Sequence, residues 1–193
     1  RSYSRGLFLA EHICGICNVT HTTAYLNAVE SLAGIDIPDR ARYIRTLMAE
    51  LERIHSHLLW LGVAGDLIGF KTLFMLSWKV REQVLDIFDL LSGSRRAPAM
   101  NVIGGVRDDV KSENISKTLR RLKEMKAETE KLITIIYDHS VARKRLQDIG
   151  KLVLSKAKID GAVGPTARAS GWKIDTRLSS PYAAYSPEYT TWE

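Results

Sequence analysis

Cys14 and Cys17 are the two cysteines of the 193-residue chain, and they sit in the stretch EHICGICNVTH that runs from Glu11 to His21. A C-x-x-C pair followed four positions later by a histidine has three chemical uses. As a redox dithiol it would lie at a helix start inside a β-α-β pattern, and no strand-rich pattern surrounds it. As part of a structural zinc site it would take His21 as a third ligand, but a closed tetrahedron needs a fourth. No second tight Cys/His pair follows, since His55 and His57 are two apart on a helix and point different ways. As half of a four-thiolate site, the pair would be completed from elsewhere in the chain or from another subunit. Gly15 lets the backbone turn tightly between the sulfurs. A helix N-terminus immediately behind them favours thiolates. His21, one turn into that helix, can donate a hydrogen bond to a ligating sulfur. On spacing alone, two small buried thiols and a core histidine fit as well.

Other polar residues offer further chemistry. Glu50, Arg53 and His57 fall at i, i+3 and i+7 on one helix face. Three such groups in line can serve a proton path or an ion-pair network toward a neighbouring subunit, and a solvated face carries the same pattern. Asp66, after a glycine-broken helix end, is a candidate for proton or conformational coupling, or an ordinary turn aspartate. Gly104 and Gly105 belong to no G-x-x-x-x-G-K-[ST] or G-x-G-x-x-G pattern, which excludes a phosphate loop of either kind.

The elements that must position these groups are helices. Residues 19–33 favour one, with Gly34 at the place of a left-handed cap. Pro38 suits the first turn of the next helix and Asp39 its positive end. Apolar steps of four and three at Tyr43, Leu47, Leu51, Ile54, Leu58 and Leu61 predict one long buried stripe, ended by GVAGDLIG. A third helix is predicted over 72–91, with a stripe at Leu73, Leu76, Val80, Val84, Ile87 and Leu91, stopped by Gly93. SRRAPAMNVIGGVRDDV reads as a loop. A fourth helix over 112–139 carries Ile115, Leu119, Leu122, Met125, Leu132 and Ile136 on one side and Lys and Glu on the other. Three segments are therefore expected: a loop holding the cysteines over 1–18, a helical bundle over 19–140, and an irregular Gly/Pro-rich segment over 141–193.

Charge and hydropathy narrow the classes. The 28 Lys and Arg against 22 Asp and Glu leave a formal +6, which suits an acidic partner such as RNA, a membrane surface or another subunit without selecting one. Two cysteines are no disulfide scaffold and point to a reducing compartment. Apolar runs such as 58–63 are too short to span a bilayer. The opening RSYSRG and the closing SPEYTTWE both read as the interior of something longer, so a fragment is expected.

EHICGICNVTHTTAYLNAVESLAGIDIP closely resembles the N-terminal nickel-binding motif of [NiFe] hydrogenase large subunits, roughly E-R-x-C-G-x-C-x-x-x-H followed by a Tyr and an A-x-E. It is most similar to the membrane-associated, energy-converting type, relatives of the 49 kDa subunit of respiratory complex I, which keeps the fold without the metal. RARYIRTLMAELERIHSHLLWLG resembles the long helix shared by both branches. VGPTARASGWKIDTR and PYAAY resemble their later G-P-x-x-R-A-S-G, D-x-R and P-Y-x-x-Y elements. Four motifs in order cover nearly the whole chain.

The resemblance implies a mainly α fold, the long-helix bundle of the hydrogenase large subunit. It implies Cys14 and Cys17 as the first thiolate pair of a nickel-iron centre, with soft sulfur suiting nickel, and His21 as support for a bridging sulfur. Glu11 and His12 fall in the same motif, His12 standing where the family usually has Arg. That exchanges a permanent fork of donors for a shorter ring that titrates near neutrality. Arg107 matches a loop arginine lining the cavity in complex I relatives. Arg168, Asp175 and Arg177 fall in the later motifs as candidate cofactor-side residues. The family's second C-x-x-C has no counterpart among these residues, so the nickel-iron centre depends on a further pair. The implied function is the large subunit of an energy-converting complex at the cytoplasmic face of the cell membrane. It would exchange electrons between the iron–sulfur cluster of a small partner subunit and protons, or a sulfur compound, with antiporter-like membrane subunits moving ions and no nucleic acid involved. A metal-free, quinone-site or scaffold subunit and a helical zinc-binding interaction module are the rival expectations.

Overall fold

The computed structural model describes residues 2–186. The chain divides into two compact units, Arg1–Asp138 and His139–Glu193, and each is described by itself.

The first unit is built from five helices and a minimal hairpin: α1 (Tyr3–Glu11), α2 (Asn18–Ala33), α3 (Asp39–Leu67), α4 (Lys71–Ser92), β1 (Asn101–Val102), β2 (Gly105–Val106) and α5 (Ser112–Asp138). α3 lies along α4, α5 along α4, α1 against α2, and the hairpin touches α2 and α3. The segment expected as a cysteine loop over 1–18 is helical over most of its length. Ser2 caps α1 by accepting from the Arg5 N–H, which satisfies an otherwise orphaned donor. Tyr25 of α2 packs over Gly6, where a Cβ would collide with its ring, and its hydroxyl donates to the Tyr3 carbonyl at 2.8 Å. The cysteine loop proper is therefore short, 12–17.

α2 ends at Gly34 in the left-handed region, φ 63°. Pro38 stands just outside α3 as its N-cap rather than in its first turn. The buried face of α3 differs from the expected stripe. It runs Ala41, Ile44, Met48, Leu51, His55, Leu58, Gly62, Gly65, alternating steps of three and four. Tyr43 is 48% exposed, while Leu47, Ile54 and Leu61 flank the core. The stripe is rotated because two of its members are glycines and one is a histidine, which an apolar count passes over. α4 buries Leu73, Val80, Val84, Ile87 and Leu91 as expected, with Leu76 at the edge. α5 buries Thr118, Met125 and Leu132, whereas Ile115 and Leu119 are exposed. Within the expected loop, Asn101 pairs with Val106 and Val102 with Gly105, turning at Gly104 with φ 81°.

The second unit holds four short helices, α6 (Ser140–Leu146), α7 (Leu154–Ile159), α8 (Gly164–Ala169) and α9 (Thr176–Ser179), where an irregular segment was expected over 141–193. Gly164 and Pro165 open α8, proline being tolerated where no helical N–H is needed. Tyr182 and Tyr185 of the PYAAY element meet edge to face, centroids 4.9 Å apart. Most of the closing SPEYTTWE, residues 187–193, lies outside the described residues.

Candidate metal centre

The cysteine loop is held at both ends. At its start, Glu11 is buried and its Oε1 accepts from the Ala99 N–H at 2.7 Å. At its end, Cys17 is the N-cap of α2. Asn18 Nδ2 donates to the Arg96 carbonyl at 2.7 Å, so the 94–99 segment clamps the loop from one side. Inside it, Cys14 Sγ accepts from the N–H groups of Ile16 (3.4 Å) and Cys17 (3.3 Å). The His21 N–H donates to the Cys17 carbonyl, which stacks the imidazole one turn above that cysteine. The ligand atoms of Cys14, Cys17 and His21 all lie within 4.8 Å of one another, and all three residues are half-buried.

The two thiols are driven apart. The bond from Cys17 and the backbone N–H groups of Ile16 and Cys17 hold Cys14 below the usual thiol range. Burial, then Cys14 itself and the Glu52 charge, push Cys17 up to about 11. Cys14 is the readier thiolate, and a metal must displace the Cys17 proton to bind both.

Glu52 is the site residue that the sequence reading missed. It is 3% exposed on α3. Its Oε1 accepts from the Val19 N–H at 2.6 Å, and its Oε2 accepts from the Thr20 N–H at 2.8 Å and the Thr20 hydroxyl. One helix thus caps another. Cys17 makes no side-chain cap bond, and the first free donors of α2 are met from outside. Burial raises the Glu52 carboxyl, opposed by the Thr20 hydroxyl, the two N–H groups and the nearby His21. Seven residues earlier on α3, Arg45 forks onto Glu30 at the other end of α2. The missed signal is that spacing: Arg45 and Glu52 share the α3 face toward α2.

The remaining candidates are placed as follows. His12 is exposed, and its Nδ1 lies 2.7 Å from the Phe8 carbonyl, with its ring tilted by 39° against that of Phe8 at 4.5 Å. Glu50 and Arg53 form a half-buried ion pair at 2.9 Å, while His57 and Asp66 are exposed on α3. Arg107 is exposed, bonding Asp108 at 2.7 Å and the Ser92 carbonyl at 2.8 Å. In the second unit, Arg168 lies exposed on α8. Asp175 caps α9 and pairs with Arg177 at 2.7 Å, and that pairing, against slight burial and with a contribution from Arg168, pulls its carboxyl down to about 2. Among the described residues, the cluster able to hold a metal is Cys14, Cys17 and His21.

Two family profiles cover this frame. The one described as "Respiratory-chain NADH dehydrogenase, 49 Kd subunit" matches residues 67–190, and "Nickel-dependent hydrogenase" matches residues 4–62. The chain belongs to the family that joins [NiFe] hydrogenase large subunits to the 49 kDa subunit of respiratory complex I. It is 42% identical over 185 residues to the membrane-bound hydrogenase subunit alpha of Pyrococcus furiosus, covering 96% of this chain and 43% of that protein. It is 37% identical to a subunit of the F(420)H(2) dehydrogenase of Methanosarcina mazei, covering 96% and 50%. Formate hydrogenlyase subunit 5 of Escherichia coli is 37% identical, over 95% and 32%. A chain in the structure of the membrane-bound sulfane sulfur reductase, an archaeal respiratory membrane complex, superposes with a TM-score of 0.90 at 28% identity, covering 97% of this chain and 50% of that one. The chain therefore spans half or less of the length of these relatives. No helix among the described residues is long and apolar enough to cross a membrane.

The residues present fit half of a nickel-iron centre. Two sulfurs form a soft donor pair suited to nickel, and the His21 imidazole lies within 4.8 Å of them, where it can support a ligating sulfur. Two further thiolates would come from outside these 193 residues, which hold two cysteines in all.

Proposed function

We propose that the chain is the core of the large subunit of a membrane-associated, energy-converting oxidoreductase complex. It passes electrons between an iron–sulfur cluster in a small partner subunit and a small substrate at the cysteine loop. Antiporter-like membrane subunits use the energy released to move ions, and the subunit works as part of a peripheral arm on the cytoplasmic face. The observation that carries this reading is the gathering of Cys14, Cys17 and His21 within 4.8 Å on a helix N-terminus.

A nickel-iron centre, where bound, supplies the Lewis acidity and redox change for proton and hydrogen chemistry. The chain's own residues set its place. Cys14 and Cys17 would hold it, and His21 would donate to a sulfur. Glu11 and Glu52 fix the two ends of the loop. A second reading takes a sulfane sulfur compound as substrate. It is favoured by the superposition on the sulfane sulfur reductase chain.

Metal analysis of the intact complex decides between them. The nickel reading expects stoichiometric nickel that is lost in Cys14→Ser and in Cys17→Ser. Absence of nickel with sulfur-compound reduction retained defeats it in favour of the second reading. One zinc per chain with no iron–sulfur subunit co-purifying defeats both and leaves an interaction module.

A further inference from the structure

Arg96 lies against the cysteine loop, and its charge reaches two further donor groups, His55 of α3 and Arg81 of α4. His55, on the buried face of α3, is 5% exposed. Its Nε2 lies 2.5 Å from Arg81 Nη2 of α4, so it accepts there and its proton sits on Nδ1. That Nδ1 and Arg81 Nε are both buried with no hydrogen-bond partner among the described residues. Arg81 is held in place by Trp78, with its guanidinium carbon 4.5 Å from the ring centroid. The third group, Arg96, has an exposed side chain and a backbone pinned by Asn18. A Cβ placed on Gly15, between the two cysteines, would lie 3.7 Å from Arg96 Nη2. Burial, then Arg81 and Arg96, push His55 down to about 4, so the imidazole is neutral at physiological pH.

The neighbouring carboxylates accept their hydrogen bonds elsewhere, and only the charge of Glu82 reaches Arg81. Glu52 gives both oxygens to α2. Glu82 and Asp86 both bond Arg95. A buried charge is normally paired, and unpaired donors in a low-dielectric site hold an anion strongly. From this we infer that Arg81, Arg96 and His55 form a binding subsite for a small anion that is delivered to Cys14 and Cys17, and that the anion is a sulfane sulfur species. Thiosulfate and polysulfides are anions at neutral pH, whereas protons and hydrogen need no such receptor. The inference rests on the sulfur reading above for the identity of its ligand. Arg96 forms the entrance, and half-buried Arg81 and buried His55 form the wall.

Equilibrium dialysis of the intact complex against labelled thiosulfate tests it. Saturable binding is expected. Arg96→Ala and Arg81→Met should each weaken it by about tenfold, as for loss of one charge-assisted bond, and Arg96→Lys should restore part. Arg120→Ala, exposed on α5, should leave it unchanged, and Cys14→Ser should leave binding intact while abolishing sulfide release. Because Arg96 is exposed, its variant tests the site even where Arg81→Met fails to fold. No saturable binding to the wild type overturns the subsite, as does binding indifferent to Arg96. Release of a subunit from the Arg96→Ala complex, with no thiosulfate bound by the wild type, also overturns it and assigns Arg96 to a partner's carboxylate. Binding without any sulfide production upholds the subsite and overturns the sulfur reading instead.

Discussion

Arg45 donates two hydrogen bonds to the Glu30 carboxylate, at 2.7 and 2.9 Å, where almost no water reaches. Arg45 also donates to the carbonyls of Val102 and Gly105, and Glu30 accepts from the Gly104 N–H, so one pair ties α2, α3 and the hairpin together. Breaking a buried pair from one side strands the other charge. Arg45→Met should therefore cost about 3–5 kcal/mol in denaturant unfolding, and Arg45→Lys should recover less than half, because a point charge cannot fork. Burial alone would raise the Glu30 carboxyl. The bonds from Arg45 and Gly104 and the charges of Arg45 and Arg42 outweigh it and hold it below its usual range. A depressed carboxyl contributes stability above its unfolded value of about 4.3, and that stability is lost as the pH falls through the folded value. The melting temperature of the wild type should therefore fall on acidification below about pH 4.5. Glu30→Gln should flatten that limb, and a fall as steep in the variant as in the wild type would remove Glu30 from its cause.

At the scale of elements, α3 and α4 meet along a seam of small residues. A Cβ on Gly65 would lie 3.0–3.1 Å from three carbons of Leu73, and one on Gly62 would lie 3.3–3.4 Å from Ser77 and Trp78. Gly65→Ala gains about 1 kcal/mol of helix propensity against about 1–3 kcal/mol of overpacking. Calorimetry should show a net loss of stability, part of which Leu73→Val restores, because the two residues share the contact. A gain in melting temperature from the single change would mean that Leu73 yields freely. This seam also explains what could be read in advance. α2, α4 and the cysteine loop with His21 were legible because leucines, cap glycines and the C-x-x-C spacing are local signals. The true face of α3 was not, since glycine and histidine carry no apolar weight in a periodicity count. Glu52 escaped for a related reason: it lies on α3, and only packing brings it to the start of α2 beside Cys17. Glu50, Arg53 and His57 share a face of α3 that is half-buried at the Glu50–Arg53 ion pair and exposed at His57.

At the scale of the whole molecule, the apolar core belongs to one unit. The cluster built on Met48, Leu51, Val84, Ile87, Phe88 and Met125 lies wholly within Arg1–Asp138. Among the described residues of the second unit, the buried apolar side chains are Ala142, Ala157, Ala167, Ala184 and Tyr185. Four methyl groups and one ring remove little apolar surface from water. At about 25 cal/mol per Å², they fall short of the ordering entropy of so many residues, at about 1.5 kcal/mol each. Unit two also leaves Val141, Leu146, Ile149, Val153, Ile159, Val163 and Leu178 exposed, so its helices need surfaces that it does not itself provide. A chain ending at Asp138 should therefore keep a cooperative thermal transition and strong helical circular dichroism. A peptide of residues 139–193 should show neither, with narrow amide dispersion by NMR. If the peptide alone melted cooperatively, its short helices would have to be stabilised by the ion pair and ring contacts of Asp175, Arg177, Tyr182 and Tyr185. Asp175→Asn would then abolish that transition, whereas it should have no cooperative transition to abolish if the core argument holds.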